Sequence, residues 1–286
     1  MLKKQFFINV FIVLGFMDIE KEIIKTIKKY NLIKKKDKVV VALSGGKDST
    51  SVLYILKKLG YNVEGLMIDL KLGRWSEIHN ENMLKFCEKI KVPLTIVDLK
   101  QELGQGICFI KAVLKKQKNL TGCTVCGIIK RWILNKWAKK LGADKIVTGH
   151  NLDDEAQNVL MNFLKGNILL GINSSPATGG KPVKGFAQRV KPLFFIPEND
   201  IRAYAKKMKF EILYDKCPCS FETYRSDTRD WLDNISDKEK LAIVENFQKQ
   251  VPRLREENKT ELKICKKCGE PSRSDLCNYC KIVSNI

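Results

Sequence analysis

The amino-acid sequence predicts an α/β protein with a doubly wound parallel sheet, followed by a small cysteine-rich module at the C-terminus. Apolar segments rich in β-branched residues alternate with segments that carry apolar residues at helical spacing. Strands that alternate with helices in this way form a parallel sheet with helices on both faces. A glycine turn follows the first predicted strand, and two Cys-x-x-Cys pairs stand eight residues apart near the C-terminus.

The predicted elements begin with a helix over 18–33 and a strand at 38–43, after which the glycine turn leads into a helix over 51–59. The later elements, in order, are strand 62–70, helix 76–90, strand 93–99, helix 101–116, helix 124–141, strand 143–148, helix 152–164, loop 166–188, an extended segment at 190–195, helix 198–208 and strand 211–214. Ligands of such a sheet bind beyond the carboxyl ends of its strands. We therefore expect residues 44–49, Asp69 and residues 149–154 to meet at one edge.

Length and charge bound the domain organisation and the kind of partner. The 286 residues suffice for one large core and a small appendage. We predict an N-terminal extension with a basic helix at 1–36, the α/β domain at 37–220, a helical extension at 221–260 and the cysteine module at 261–286. The formal net charge of +20 favours a polyanionic partner, although a general excess of lysine would give the same charge. Basic residues concentrate at 25–36 and 253–267, so the helical extension is predicted to bind RNA.

Residues 1–16 contain Lys3 and Lys4 followed by a short apolar run that is similar to a signal peptide. The run is too short to span a bilayer comfortably, and no small-residue cleavage site follows it. Met17 opens a clean amphipathic helix. We therefore expect a start-site artefact or an extra N-terminal element here, a cytoplasmic protein and no membrane partner.

The glycine turn, residues 44–50, reads Ser-Gly-Gly-Lys-Asp-Ser-Thr. A strand-to-helix turn points unpaired backbone N–H groups and the positive end of the helix dipole at a bound anion. Gly45 and Gly46 let the backbone approach that anion, and hydroxyl groups at Ser44 and Ser49 can donate hydrogen bonds to it. The spacing is not that of a Walker A loop, and it resembles the PP-loop of the N-type ATP pyrophosphatases, which grips the pyrophosphate end of ATP. The alternative is a tight turn with a serine cap.

Cysteines occur at two places that the topology brings to the same edge. Cys123 and Cys126 stand at the start of a predicted helix, where thiolates form more easily, and Cys217 and Cys219 follow the last predicted strand. Three thiolates that converge there can hold a zinc ion or an iron–sulfur cluster. A four-iron cluster on three cysteines keeps one iron open for a small ligand such as hydrosulfide. The alternative is a set of cysteines without a metal, or a redox disulfide.

A polar segment, residues 149–157, follows the fourth predicted strand and begins the next helix. Its acidic residues Asp153, Asp154 and Glu155 can coordinate Mg²⁺ or water beside the phosphates of ATP, or transfer a proton. The alternative is that they only favour the helix dipole. His79, on an earlier predicted helix, is expected to be a surface residue.

Four cysteines near the C-terminus have the spacing of a zinc site. Cys265, Cys268, Cys277 and Cys280 form the two Cys-x-x-Cys pairs and predict a small C-terminal zinc ribbon or knuckle. Four thiolates complete the shell of zinc, so this site is predicted to fold the tail and not to catalyse. The lysines around it suit contact with an RNA backbone.

Taken together, the glycine turn, Cys123 with Cys126, residues 149–154 and Cys217 resemble the TtcA/TtuA family of PP-loop tRNA thiolation enzymes over roughly residues 39–218. The C-terminal cysteines resemble the TtuA-like branch, whose members usually also carry an N-terminal zinc finger, whereas this chain has no cysteine before Cys87. The resemblance implies the PP-loop ATP pyrophosphatase fold, which is adenine nucleotide alpha hydrolase-like. It also implies an ATP-dependent, AMP-forming sulfurtransferase that makes 2-thiouridine in tRNA.

The resemblance further implies roles for individual residues. ATP, with Mg²⁺, is held by residues of the loop and of the strand ends: Ser44, Gly45, Gly46, Lys47, Asp48, Ser49, Asp69 and Gly149. The uridine O2 attacks the α-phosphate, and sulfur then displaces AMP at C2. Cys123, Cys126 and Cys217 bind a 4Fe–4S cluster that presents the sulfur, and Lys130 and Asp154 match catalytic positions.

Several alternatives stay open beside this reading. Cys219 can replace Cys217 as the third ligand, a persulfide on Cys126 or Cys217 can replace the cluster, and the base can be a cytidine. A lysidine-type ligase or an amidotransferase needs no cysteine triad, and a non-catalytic zinc-ribbon RNA-binding protein needs no intact glycine turn. We expect tRNA and a sulfur donor as partners, the donor being sulfide or a thiocarboxylated ubiquitin-like carrier protein, and we expect a homodimer.

Overall fold

A five-stranded parallel sheet forms the centre of the structure, a computed structural model that describes residues 18–118, 122–178, 183, 185–215, 217–219, 224–258 and 262–284. The strands are β1 (Lys38–Leu43), β2 (Asn62–Asp69), β3 (Leu94–Asp98), β4 (Lys145–Val147) and β5 (Gln188–Val190). They lie in the order β3-β2-β1-β4-β5, and each neighbouring pair is parallel. The chain winds from β1 outward to β3 and then crosses back to β4, which confirms the predicted doubly wound sheet and puts the switch point between β1 and β4.

Helices connect the strands and cover both faces of the sheet. In chain order they are α1 (Ile19–Tyr30), α2 (Lys47–Lys58), α3 (Arg74–Lys89), α4 (Leu99–Leu103), α5 (Ile107–Lys118), α6 (Gly122–Lys140), α7 (Leu152–Leu164), α8 (Glu198–Lys207), α9 (Tyr224–Leu232), α10 (Asp237–Glu257) and α11 (Asn278–Val283), with a 3₁₀ helix at Ile168–Asn173. In the part of the chain that the structure describes, no helix is both long enough and apolar enough to cross a membrane. The predictions for residues 1–17 lie outside the described residues.

The side chains of β1 show why its unbroken run of apolar residues is needed. Val39, Val41 and Leu43 belong to the core under α1, α2 and α3, whereas Val40 belongs to the core under α5 and α6. Successive side chains of a strand point to opposite faces of the sheet. A sheet that is covered on both faces therefore has no polar face, and these four side chains are all buried.

Three predicted elements differ from the structure. The helix predicted over 101–116 is interrupted after α4, because Gly104 takes a φ of 76° and ends that helix. Residues 211–215, which are all described, contain no strand, and Ile212 instead packs its side chain against the core. The segment predicted as extended over 190–195 adds only Val190 to β5, and the residues after it turn toward α8.

Two helices after the sheet close over the turn that follows β4. Leu232 of α9 and Val244 of α10 form a buried cluster with Leu152 and Ala156 of α7. The first turn of α7 lies at the carboxyl end of β4, on the ligand-binding edge of the sheet. The helical extension therefore contacts the edge at which the sequence predicts a ligand.

The C-terminal residues form a small module on α6. Its strands β6 (Lys263–Ile264) and β7 (Pro271–Ser272) pair antiparallel, and α11 follows them. The ring of Tyr279 stacks on Trp132 of α6, with ring centroids 3.8 Å apart and an angle of 9° between the planes. Asn135, also on α6, donates a hydrogen bond of 2.6 Å to the buried Glu270. The helix that begins with Cys123 and Cys126 thus also carries this module.

Candidate functional site

The glycine turn between β1 and α2 has the geometry of an anion-binding loop. Gly45 has a φ of 79°, a conformation that favours glycine, and Gly46 is the N-cap of α2. The Ser49 hydroxyl donates a hydrogen bond of 3.2 Å to the Gly46 carbonyl and accepts one of 3.2 Å from the Ser44 backbone N–H. The N-terminus of α2, with its dipole and its free N–H groups, therefore faces the space above the loop.

The turn after β4 packs closely against this loop. A Cβ atom added at Gly149 would lie 2.7 Å from the Ser49 nitrogen and 3.0 Å from the Asp48 carbonyl carbon, so no side chain fits there. Asn151 caps α7 by accepting a hydrogen bond of 3.1 Å from the Asp154 N–H, and its Nδ2 donates one of 3.1 Å to Asp48 Oδ1. The predicted meeting of residues 44–49 and 149–154 at one edge is confirmed.

A network of charges surrounds the loop lysine. Lys47 Nζ lies 3.0 Å from Asp48 Oδ2 and 2.7 Å from Oε1 of Glu198, the first residue of α8. Arg229 of α9 forms an ion pair with Glu198, and its Nη1 lies 3.5 Å from Asp154 Oδ1. Burial raises the pKa of Asp48, Lys47 opposes this effect, and the negative charge of Asp154 adds to it. The carboxylates of Asp48 and Asp154 are therefore close enough for their charges to interact.

Two of the three acidic residues at the start of α7 form ion pairs with lysines of other segments. Asp153 Oδ1 lies 2.7 Å from the ammonium group of Lys240 on α10, and Glu155 Oε1 lies 2.6 Å from that of Lys191. These ion pairs tie α7 to α10 and to the segment after β5. Asp154, by contrast, lies within electrostatic reach of the loop. Of the three acidic residues, Asp154 is therefore the one that stays a candidate for the predicted role in Mg²⁺ coordination or proton transfer.

Asp69, at the carboxyl end of β2, is held by its neighbours. Its side chain is buried and accepts a hydrogen bond of 2.8 Å from the Lys71 backbone N–H. The ammonium group of Lys71 lies 2.9 Å from Asp69 Oδ2 and 2.9 Å from Asp98 Oδ2. Asp69 thus lies at the expected edge, and its carboxylate is engaged with Lys71.

The prediction that His79 is a surface residue is wrong. Its side chain is buried, stacks on Trp75 with centroids 4.1 Å apart, and has its Nδ1 only 2.1 Å from where a Cβ at Gly45 would lie. Burial lowers the pKa of His79, whereas a hydrogen bond with the Gly45 backbone and the charge of Asp215 raise it. His79 therefore supports the loop, and Asp215 brings the segment just before Cys217 into the same neighbourhood.

The predicted cluster cysteines gather around Cys126 with two lysines. Burial raises the pKa of the Cys126 thiol, the positive charges of Lys130 and Lys111 oppose this, and the charges of Cys217 and Cys123 add to it. These four side chains therefore lie within electrostatic range of the Cys126 sulfur. Cys123 is exposed, and Cys126 and Cys217 are half-buried, so the group opens toward solvent on one side.

The cysteines of the two groups differ in how closely their sulfur atoms lie to one another. Zinc–sulfur bonds of about 2.3 Å keep two sulfur ligands of one ion within about 4.6 Å of each other. Among the described residues, the C-terminal cysteines are the group of three or more potential ligands whose atoms all lie within 4.8 Å. Cys123, Cys126 and Cys217 do not form a group of this kind in the described part of the chain.

The C-terminal cysteines lie close enough together to share one metal ion. Their sulfur atoms lie within 4.8 Å of one another, and those of Cys268 and Cys277 are 3.5 Å apart. Burial raises the pKa of the Cys265 thiol, but hydrogen bonds from the backbone of Cys277, Cys268 and Lys267 outweigh burial and bring it to about 6. A thiolate, the form that binds metal, is therefore favoured at Cys265 at neutral pH.

Sequence reasoning missed two residues of this site, Glu198 and Arg229. Neither belongs to a motif, and both lie far along the chain from the loop that they reach. Glu198 is the first residue of the helix predicted over 198–208, and the sequence pattern gives it no further role. Only the packing of α8 and α9 against the edge of the sheet brings the two charges to Lys47.

The chain matches known proteins over most of its length. The model of a family described as a PP-loop domain (ATP_bind_3) matches residues 17–232. A Pyrococcus horikoshii protein named tRNA-5-methyluridine(54) 2-sulfurtransferase is 39% identical over 269 residues, which cover 92% of this chain and 83% of that protein. A Caenorhabditis briggsae protein named cytoplasmic tRNA 2-thiolation protein 1 is 31% identical over 279 residues, which cover 93% of this chain and 73% of that protein.

A solved structure shares the fold. It is the U34-tRNA thiolase NcsA from Methanococcus maripaludis with its 4Fe–4S cluster, and the superposition has a TM-score of 0.78. The sequences are 28% identical, and the match covers 94% of this chain and 87% of that one.

Proposed function

The chain belongs to the PP-loop family of tRNA 2-thiolation enzymes, and on that premise we propose that it uses ATP to replace the C2 oxygen of a tRNA uridine with sulfur. One observation carries this proposal: the anion-binding loop and the three-cysteine group share an edge of the sheet. α6 leads into the parallel strand β4, and because a crossover helix runs back from the carboxyl to the amino edge of a parallel sheet, its first turn with Cys123 and Cys126 is expected at the carboxyl edge. Asp215, near Cys217, also reaches His79, which contacts the loop.

In the first step, the loop holds the pyrophosphate end of ATP while the uridine O2 attacks the α-phosphate. The N-terminus of α2, the serine hydroxyls and Lys47 offer positive charge and hydrogen bonds to the leaving pyrophosphate. Asp48 and Asp154 are the carboxylates we propose for a Mg²⁺ ion on the phosphates, since Asn151 links them by hydrogen bonds to Asp48 Oδ1 and from the Asp154 N–H. The products of this step are an adenylated base and pyrophosphate.

In the second step, sulfur takes the place of the activated oxygen, which leaves as part of AMP. The solved thiolase structure that shares this fold contains a 4Fe–4S cluster, and Cys123, Cys126 and Cys217 would hold such a cluster here, which would supply the sulfur atom at an open iron position. Lys130 lies one helical turn beyond Cys126 and within electrostatic range of its sulfur. Its ammonium group is suited to hold an anionic sulfur species and to steady the negative charge that develops on the base.

The remaining positive charge suits tRNA. The net charge of +20 attracts a polyanion at long range, and the target base must leave its stack for its O2 to reach the loop.

The four C-terminal cysteines would hold a structural zinc ion that orders the module on α6. We also propose a cytoplasmic location, in line with the name of the Caenorhabditis relative, a homodimer, and sulfide or a thiocarboxylated carrier protein as sulfur donor.

Anaerobic purification and reaction with unmodified tRNA test this proposal. We expect about four irons and about one zinc per chain, tRNA-dependent formation of AMP and pyrophosphate, and a 2-thiouridine in the nucleoside digest. Asp48→Ala should abolish AMP formation and keep tRNA binding, because it changes the ATP site and not the basic surface. Full thiolation by protein that contains zinc and no iron would refute the cluster, and AMP formation without sulfur in the tRNA would refute thiolation.

A further inference from the structure

Glu198 gathers three cationic side chains beside the loop. Its Oε1 lies 2.7 Å from Lys47 Nζ and 3.1 Å from Nη2 of Arg202, and its Oε2 pairs with Arg229. The exposed fraction of its side chain is 15%. An ordinary surface ion pair joins one carboxylate to one cation, whereas the half-buried Glu198 pairs with three. One of these three cations, Lys47, belongs to the proposed ATP-binding loop.

Arg229 reaches this place from α9, outside the sheet. Its guanidinium lies 3.5 Å from Asp154 Oδ1, and the charge of Asp154 in turn raises the pKa of Asp48 in the loop. Arg229 and Lys47 therefore flank the same carboxylate, Glu198, at the mouth of the loop. A planar guanidinium with several N–H donors matches the oxygens of a phosphate as well as those of a carboxylate.

We propose that Arg229 binds the pyrophosphate end of ATP, and that Glu198 occupies Arg229 and Lys47 until ATP displaces its carboxylate. This inference rests on the proposed function, since it assumes that ATP binds at the loop. Three anionic groups, Asp48, Asp154 and Glu198, surround these cations in the free protein. A pyrophosphate competes with these carboxylates for the cations, and Glu198 is the carboxylate that contacts both Lys47 and Arg229.

The start of α8 has another anchor, so Arg229 is not needed to hold Glu198. The Glu198 backbone N–H donates a hydrogen bond of 2.7 Å to Asp153 Oδ2, and Asp153 is itself paired with Lys240. Arg202 bonds Glu198 from one turn along α8, with 44% of its side chain exposed. Arg202 therefore offers a matched control: it is an arginine on the same carboxylate without contact to Asp154 among the ion pairs of the described residues.

The test is calorimetric titration of the full-length protein with inorganic pyrophosphate, with a non-hydrolysable ATP analogue and with AMP. Arg229→Gln should weaken binding of pyrophosphate and of the analogue about tenfold or more, as expected for the loss of a charge-assisted hydrogen bond. Binding of AMP should not change, because AMP lacks the pyrophosphate end. Glu198→Gln should tighten pyrophosphate binding several-fold, and Arg202→Gln should bind all three as the wild type does.

The outcomes separate the inference from the function on which it rests. Wild-type affinity for pyrophosphate in Arg229→Gln, an equal loss of AMP and pyrophosphate binding, or weaker pyrophosphate binding in Glu198→Gln would each overturn the inference and leave the proposed function intact. Failure of the wild type to bind either the analogue or pyrophosphate would overturn both. If circular dichroism shows that Arg229→Gln does not fold, the pyrophosphate affinity of Glu198→Gln alone decides whether the inference holds.

Discussion

Gly149→Ala measures how closely the turn after β4 must approach the ATP-binding loop. The added Cβ would lie 2.7 Å from the Ser49 nitrogen, about 0.7 Å inside ordinary contact distance, and 3.0 Å from the Asp48 carbonyl carbon. Both atoms belong to the loop backbone, so the loop itself has to move. A misplacement of about 1 Å at a site of chemistry can cost about 100-fold in rate. We therefore expect kcat/KM for ATP to fall by about 10- to 100-fold, with a loss of unfolding free energy of about 1–3 kcal/mol.

The assay is tRNA-dependent release of AMP and pyrophosphate, together with urea denaturation of the same preparations. Gly106→Ala is the matched control, because a Cβ at Gly106, between α4 and α5, would meet no atom within 4 Å and its φ lies outside the left-handed region. That variant should keep both kinetics and stability. If Gly149→Ala turns over ATP as the wild type does, the close contact does not hold the loop in its working position, and the reasoning fails.

Three further predictions concern stability and metal content. Lys240→Met should lower the unfolding free energy measured by urea denaturation by about 3–5 kcal/mol, because it leaves the buried carboxylate of Asp153 without its lysine partner. Adding Asp153→Asn should recover much of the loss. A double variant no more stable than the single one would contradict this. Burial raises the pKa of Asp48 above 3.8, so the folded state binds the proton more tightly and ionisation costs folding free energy as pH rises. Asp48→Asn should therefore be more stable than the wild type at pH 7, and this gain should vanish below about pH 3; a gain that does not change with pH would point to another cause. Cys268→Ser should remove about one zinc per chain without changing the iron count, and should shift the fluorescence of Trp132, which stacks on the module; unchanged zinc would contradict the assignment.

The fold and the C-terminal cysteine group could be predicted because their signals are local. Val39, Val40 and Val41 indicate a strand buried on both faces, and the turn at 44–50 needs only its own residues to form. The four C-terminal cysteines have metal-ligand spacing within sixteen residues, and the structure brings their sulfur atoms together. Errors occurred where a local pattern competed with another force. The left-handed conformation of Gly104 ends a helix that the apolar spacing alone predicts to continue. Ile212 packs against the core without pairing in a strand.

The sequence by itself determined that an anion-binding loop follows β1 and that four cysteines with metal-ligand spacing lie near the C-terminus, since each depends on residues close together in the chain. Only the tertiary structure decided which charged side chains pair with one another. Asp153 pairs with the buried Lys240 and Glu155 with the half-buried Lys191, whereas their neighbour Asp154 reaches the loop, although periodicity and composition do not distinguish the three. Likewise, Arg229 meets Lys47 across Glu198 because α9 packs on α7. Electrostatic partners are chosen by distance in space, which a linear pattern does not encode.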